Sequence, residues 1–79
     1  MIQIKKGKPT TNKYYLLASE NFEREDYKLA KSNFLKYLNN NQDYQALNLL
    51  GICYLKLKEY LEAANIFKKL VSNKIISDT

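Results

Sequence analysis

The sequence matches itself when it is shifted by 33 residues, and this internal repeat is the feature that most limits how the chain can fold. The matches fall mostly on small and apolar residues, which are the ones that a structural repeat must keep in its core. The aligned pairs are Leu16 with Leu49, Leu17 with Leu50, Ala18 with Gly51, Tyr27 with Tyr60, Ala30 with Ala63 and Phe34 with Phe67. The 79 residues therefore predict two copies of one unit in a single small domain.

Each copy contains two stripes of residues at the helical spacing i, i+3, i+4, i+7, and polar segments separate the stripes. The four stripes are Tyr14, Leu17, Ala18 and Asn21; Tyr27, Ala30, Phe34, Tyr37 and Leu38; Leu47, Leu50, Gly51 and Tyr54; and Tyr60, Ala63, Ala64, Phe67, Leu70 and Val71. No segment has a convincing strand pattern. We expect four helices of about 12–15 residues, arranged in an all-α fold as two stacked antiparallel helical hairpins.

Capping residues predict where the helices begin. Pro9 favours a helix start just after it, and Thr10, Thr11 or Asn12 can cap that helix. Asp43 can cap the third helix, after the loop "NNNQD". The predicted division is an N-terminal tail (1–10), a first unit (11–43), a second unit (44–76) and a C-terminal tail (77–79).

One of the two glycines of the chain lies inside the third stripe. Gly51 costs the helix about 1 kcal/mol relative to alanine, so a compensating contact is expected. Helices pack about 8–10 Å apart, and a Gly or Ala at the contact lets a large residue of the facing helix come close. We therefore expect Gly51 and Ala63 to form the floor of a helix contact. The large residues expected around it are Tyr54, Tyr60 and Phe67.

Composition restricts the chemistry. The 13 basic and 8 acidic residues give a formal charge of +5, and the chain has no His and one Cys. No disulfide, metal site or cofactor is therefore expected. The absence of a disulfide favours a reduced, cytoplasmic location. Cys53 has no His partner, so an enzyme is not predicted. Neither a membrane-spanning segment nor a signal-type apolar block is expected. The acidic cluster before the second helix is interpreted as a solvated helix end. It consists of Glu20, Glu23, Glu25 and Asp26.

The second unit resembles a tetratricopeptide repeat. It follows the family pattern as Leu47-x2-Leu50-Gly51-x2-Tyr54 and then Ala63-x3-Phe67. The first unit is a more divergent copy, with Asn21 where the family usually has Tyr. Bulky Tyr37 and Leu70 replace the late small residue of the family, and its closing Pro is absent. These departures concern the superhelical angle between hairpins rather than the hairpin itself.

The resemblance implies a protein-interaction module, such as an adaptor, a scaffold or a chaperone-like protein. The first helices of successive units would form a concave groove that binds an apolar peptide or an amphipathic helix. The expected groove residues are Tyr15, Leu16, Ser19, Phe22, Gln45, Asn48, Leu49, Ile52, Leu55 and Lys56, and Asn12 and Glu23 are expected on the same face. Six of them are large and apolar, as in an interaction site. Self-association through this face, or cover by Met1–Pro9, are the other interpretations.

A basic helical module that associates with nucleic acid is the alternative function, because of the net positive charge. The dispersed lysines favour a solvated surface instead.

Two repeats are few, since about three are usually needed to bury a continuous core. We therefore expect a homo-oligomer, most simply a two-fold dimer in which a helix can be swapped, or a partner protein that supplies the missing surface. The outer side of the last hairpin would present Leu61, Ile66, Leu70 or Ile75, depending on helix rotation. A fragment of a longer repeat array is the alternative.

Overall fold

The computed structural model describes the backbone of residues 12–78 and the side chains of residues 12–72. Its four helices, in chain order, are α1 (Lys13–Glu23), α2 (Tyr27–Leu38), α3 (Tyr44–Lys56) and α4 (Tyr60–Asp78). Each helix packs against the next one along the chain, and this described part contains no strand. The expected all-α fold of stacked hairpins is confirmed. The predicted tail 1–10, the cover by Met1–Pro9 and the cap candidates Thr10 and Thr11 lie outside the described residues.

Short polar side chains fix the starts of three helices. The Tyr14 N–H donates to Asn12 Oδ1 at 2.9 Å, at the start of α1. The Ala46 N–H donates to Asp43 Oδ1 at 3.1 Å, at the start of α3. Asp26 caps α2 in the same way. Each carboxylate or amide oxygen satisfies a backbone donor that the helix itself leaves free. Asn12, one of the three candidates for the first cap, is the N-cap of α1, and the cap expected at Asp43 is confirmed.

The turns inside the two hairpins have the same geometry. Glu25 and Lys58 are 33 residues apart, and both adopt a left-handed backbone conformation, with φ of 63° and 65°. The residue after each one closes the helix end: the Asp26 N–H donates to the Asn21 carbonyl and the Glu59 N–H to the Tyr54 carbonyl, both at 2.8 Å. This bond satisfies a carbonyl that the end of the helix exposes. The internal repeat therefore extends to the backbone of the turns.

Helix α4 is longer than the sequence pattern indicated. It contains 19 residues against 12 in α2, and it takes in Ser77 and Asp78, which were assigned to a C-terminal tail. No Gly or Pro follows Gly51 in the sequence, so nothing intrinsic stops the helix. Thr79 lies outside the described residues.

The core lies along the helix pairs and is built from small residues around a few large ones. Its buried members are Ala18, Ala30, Phe34, Tyr37, Ala46, Leu50, Cys53 and Ala63. The Phe67 ring lies against Gly51, because a Cβ placed on Gly51 would be 2.7 Å from Phe67 Cζ. Ala63 is buried as well. The predicted close approach of Phe67 to Gly51 is confirmed, and so is the burial of Ala63.

Some residues predicted in the apolar stripes are not buried. Tyr60 is 61% exposed and was wrongly expected to pack at the Gly51 contact. Phe67 is half-buried, whereas its equivalent Phe34 is fully buried. Leu17 and Val71 are also exposed. Leu17 lies on the first helix and the others on the last, where no further hairpin packs against them within the described chain.

Polar contacts join the two hairpins at both ends of the α2–α3 interface. At one end, Lys31 Nζ lies 2.9 Å from Glu59 Oε1 and 5.5 Å from the centroid of the Tyr54 ring. At the other end, the Tyr37 hydroxyl donates to Asp43 Oδ2 at 2.9 Å. The same Asp43 carboxylate caps α3 through its other oxygen. One side chain therefore ties the start of the second hairpin to the core of the first.

Because the Tyr37 hydroxyl is buried and hydrogen-bonded, we expect the protein to lose stability at alkaline pH. Burial and the hydrogen bond to Asp43 raise the pKa of Tyr37 from 10 to about 12. The neutral phenol is thus favoured by folding, and its contribution is complete below pH 10 and lost as the pH rises towards 12. We expect the Tyr37→Phe variant to lose less stability than the parent over this range, by on the order of 2 kcal/mol. Urea unfolding at pH 8, 10 and 11.5 measures the difference.

The matched control is the Tyr44→Phe variant, which removes the hydroxyl of an exposed tyrosine. It should lose as much stability as the parent over the same pH range. Burial also raises the pKa of Cys53 to about 11, and the hydrogen bond to Glu59 raises the pKa of Lys31, so part of the alkaline loss remains in every variant. Equal losses in the Tyr37→Phe variant and the parent would contradict the role given to Tyr37.

Candidate functional site

The predicted groove residues lie on α1 and α3, the first helices of the two hairpins, and we call their common face the α1/α3 surface. Half of its ten residues are exposed and half are half-buried. The exposed ones are Leu16, Gln45, Asn48, Leu55 and Lys56, and the half-buried ones are Tyr15, Ser19, Phe22, Leu49 and Ile52. Asn12 and Glu23 were also expected on this face. Asn12 caps α1, and Glu23 is exposed.

Two of the predicted groove residues, Tyr15 and Phe22, pack against α2 instead of facing the groove. The Tyr15 ring packs edge-on against Phe34 and Tyr37 of α2, with ring centroids 6.1 and 5.1 Å away. The Phe22 ring packs edge-on against Tyr27, at 5.5 Å. The expectation that these two rings turn away from their own hairpin partner is therefore wrong.

The sequence contained a signal for this packing. Tyr15 and Phe22 stand three residues before and four residues after the buried Ala18, so they share one side of α1 with it. Edge-to-face aromatic pairs add to the burial of such rings. In the second hairpin, the equivalent positions are Asn48 and Leu55, and both are exposed.

Lys56 also has a structural contact. Its Nζ lies 5.9 Å from the centroid of the Tyr27 ring, so a cation–π interaction joins the end of α3 to the start of α2. Lys56 therefore stands at the edge of the α1/α3 surface, beside the joint between the hairpins.

What remains of the predicted groove on the α1/α3 surface is a set of four accessible apolar residues, which we call the apolar strip. Leu16 on α1 is 51% exposed and Leu55 on α3 is 43% exposed, while Leu49 and Ile52 on α3 are half-buried. The amides of Gln45 and Asn48 on α3 can donate and accept hydrogen bonds beside the strip. Such a surface can bind an apolar side chain and hold the backbone of a ligand next to it.

The side chains with potential chemical reactivity, Cys53 and the acidic cluster, have structural environments in the fold. Cys53 is fully buried, and burial raises the pKa of its thiol to about 11, so the thiol is protonated and unreactive at neutral pH. In the acidic cluster, Glu20 pairs with Arg24 at 3.0 Å, and both side chains are largely exposed. Within residues 12–72, no group of three His, Cys, Asp or Glu residues is placed to hold a metal ion.

Sequence reasoning missed two features of the surface. Leu29 and Leu35 are exposed on α2, at 51% and 43%, and they belonged to none of the predicted stripes. An open recess of about 260 Å³ lies where the α2–α3 loop approaches α4. Its lining is Leu38, Asn41, Gln42, Asp43, Tyr44, Leu47 and Lys69. Its polar groups are partly paired already: Gln42 donates to the Tyr44 hydroxyl, and Asp43 accepts from Tyr37 of the core.

None of the helices in the described part of the chain combines the length and the apolar character that crossing a bilayer requires. Comparison of the chain with protein-family models, curated proteins and solved structures gives no match.

Proposed function

We propose that this chain is a protein-interaction module of the tetratricopeptide-repeat type, acting as an adaptor, scaffold or chaperone-like protein in the cytoplasm. It binds an apolar peptide or an amphipathic helix on the α1/α3 surface. The observation that carries the proposal is the apolar strip of Leu16, Leu49, Ile52 and Leu55, which the fold leaves in contact with solvent on two successive first helices.

The repeat geometry supports the assignment to this class of module. The two hairpin turns lie 33 residues apart and share a left-handed backbone conformation. The Phe67 ring lies on Gly51, as the small-residue position of the repeat requires. A buried and protonated Cys53 fits a protein that keeps no reactive thiol.

The chemistry of the strip supports an apolar ligand rather than a charged one. The two most exposed side chains of the strip, Leu16 and Leu55, are leucines, and the amides of Gln45 and Asn48 on α3 carry no charge. A ligand held in this way buries apolar surface, so its binding has a negative heat-capacity change and little dependence on salt. Nucleic-acid binding, the alternative function, depends steeply on salt because it releases counterions.

The test uses a peptide selected on the protein itself. A random peptide library displayed on phage is selected against the immobilised full chain, and the chosen peptides are measured by fluorescence anisotropy. We expect the double variant Leu16→Glu, Leu55→Lys to weaken their binding at least about tenfold, because it places charges on the strip and leaves the net charge unchanged.

The chain offers a matched control for this variant. Leu29 and Leu35 on α2 have the same exposures as Leu16 and Leu55, 51% and 43%. The variant Leu29→Glu, Leu35→Lys should bind the peptides as the parent does. Equal losses in the two double variants would contradict the proposal. Binding to an oligonucleotide that disappears with rising salt, with no peptide selected, would favour the alternative function.

A further inference from the structure

The outer face of α4 is the repeat equivalent of a face that is covered on α2. Helix α3 packs on α2, where Leu38 is half-buried. Glu59, in the turn after α3, pairs with Lys31 of α2. The α4 equivalent of Leu38 is Val71, which is 55% exposed. The equivalent of Lys31 is Ala64, which is also exposed. The part of α4 that carries Ala64 and Val71 therefore continues an interface already present in the molecule, without its covering helix.

The exposed residues on this side form a regular stripe, which we call the α4 face. It consists of Tyr60, Leu61, Ala64, Lys68 and Val71. Leu61 and Lys68 lie at the edge of the continued interface, because their equivalents on α2, Lys28 and Leu35, are exposed. From Leu61 onward the steps are three, four and three residues, the spacing of a helix that packs along another helix. Leu61 is 72% exposed and Tyr60 is 61% exposed, which is unusual for large apolar side chains so close together.

The opposite end of the molecule does not complement the α4 face. The residues of α3 that are buried towards α2 include Ala46, Leu50 and Cys53. Their equivalents on α1 are Lys13, Leu17 and Glu20, and all three are exposed. A head-to-tail stack of copies would place the charges of Lys13 and Glu20 where the chain itself places Ala46 and Cys53. Burying such charges without new partners is unfavourable, so the first hairpin ends the stack.

We propose that the α4 face is the site at which two copies of this chain form a two-fold dimer. The two α4 helices run antiparallel about an axis near Ile66, with Leu61 of each copy against Val71 of the other and Ala64 against Lys68. Residues at this spacing alternate across an antiparallel helix pair, so one stripe is complementary to itself. This dimer does not depend on what the α1/α3 surface binds.

Lys68 fits this arrangement as a register marker. The small Ala64 of the second copy leaves room for the alkyl stem of Lys68, and the ammonium group reaches solvent at the edge of the interface. A single lysine inside an apolar seam weakens association and disfavours other registers. With few large residues in the seam, we expect a dimer that dissociates at roughly micromolar to hundred-micromolar concentration.

Sedimentation equilibrium of the full chain, with helicity followed by circular dichroism, tests the dimer. We expect Leu61→Lys and Val71→Glu, each alone, to raise the dissociation constant at least about tenfold. An equimolar mixture of the two variants should restore association to within about threefold of the parent, because an antiparallel pair places the new charges together. The double variant Leu29→Glu, Leu35→Lys is the control and should dimerise as the parent does.

A gain-of-association variant guards against loss through misfolding. Lys68→Leu should tighten the dimer at least about tenfold, which an unfolded chain cannot do. A parent that stays monomeric up to about 1 mM, single variants that associate like the parent, or a mixture that stays monomeric would each overturn the proposal. Growth into species larger than a dimer would show a head-to-tail stack instead.

Discussion

Replacing Phe34 by alanine is expected to lower the free energy of unfolding by about 3–5 kcal/mol, the largest loss of any single truncation in this chain. Phe34 is fully buried and is among the largest side chains of the core. Its ring also packs against Tyr15, so the truncation leaves a cavity and an aromatic ring without its neighbour. Small domains have only about 5–15 kcal/mol of stability, so much of the chain should unfold at 37 °C. Urea unfolding followed by circular dichroism measures the loss.

Phe67 is the matched control, because it stands at the same repeat position in the second hairpin. It is only half-buried, so the Phe67→Ala variant should lose roughly half as much. Equal losses at the two positions would mean that the α4 end of the stack is better covered than the monomer shows. A loss below about 1 kcal/mol for Phe34→Ala would contradict its place in the core.

Replacing Gly51 by leucine is expected to cost about 2–3 kcal/mol, because it forces the two helices of the second hairpin apart. A Cβ at this position would already be 2.7 Å from Phe67 Cζ and 3.0 Å from both of the Cε atoms. Helix propensity works in the opposite direction, since leucine is favoured over glycine by up to about 1 kcal/mol. The steric cost is therefore larger than the net loss that is measured, by the amount of this gain in propensity.

A double-mutant cycle identifies that contact. In the Phe67→Ala background, the Gly51→Leu change should cost at least about 1 kcal/mol less than in the parent, because the ring that it meets is gone. Gln45→Leu, on the exposed side of the same helix, should change stability by no more than about 0.5 kcal/mol. The same cost of Gly51→Leu in both backgrounds would exclude Phe67 as the obstacle.

The pairing of helices could be predicted from the sequence because it depends on contacts within one hairpin. Gly51, Ala63 and Phe67 meet across two helices joined by a short turn, so their spacing alone determines the contact. The caps at Asn12 and Asp43 are equally local, since each oxygen bonds a backbone group two or three residues away.

The candidate site was less predictable because it depends on helix rotation and on the neighbouring hairpin. Tyr15 and Phe22 lie at the edge of the buried side of α1, where a small rotation decides between the core and solvent. Tyr60 has the same spacing as the partly buried Tyr27, but the two side chains differ in exposure. Periodicity does not record which helix is covered by another. It therefore overestimated the burial of Leu17 and of residues on α4, and it overestimated the exposure of Tyr15 and Phe22.

The main packing contacts of this fold all join helices that are consecutive along the chain: α1 with α2, α2 with α3, and α3 with α4. Contacts of short sequence separation close only small loops, so the entropy lost before they form is small. Chains of this kind fold in microseconds to milliseconds. The contacts between α1 and α2 lie within residues 12–38 and can begin to form before those of the second hairpin, while Ala46, Leu50 and Cys53 of α3 complete the buried cluster. Asp43 then meets a Tyr37 already held in place, which gives the cap of α3 a fixed partner as that helix nucleates.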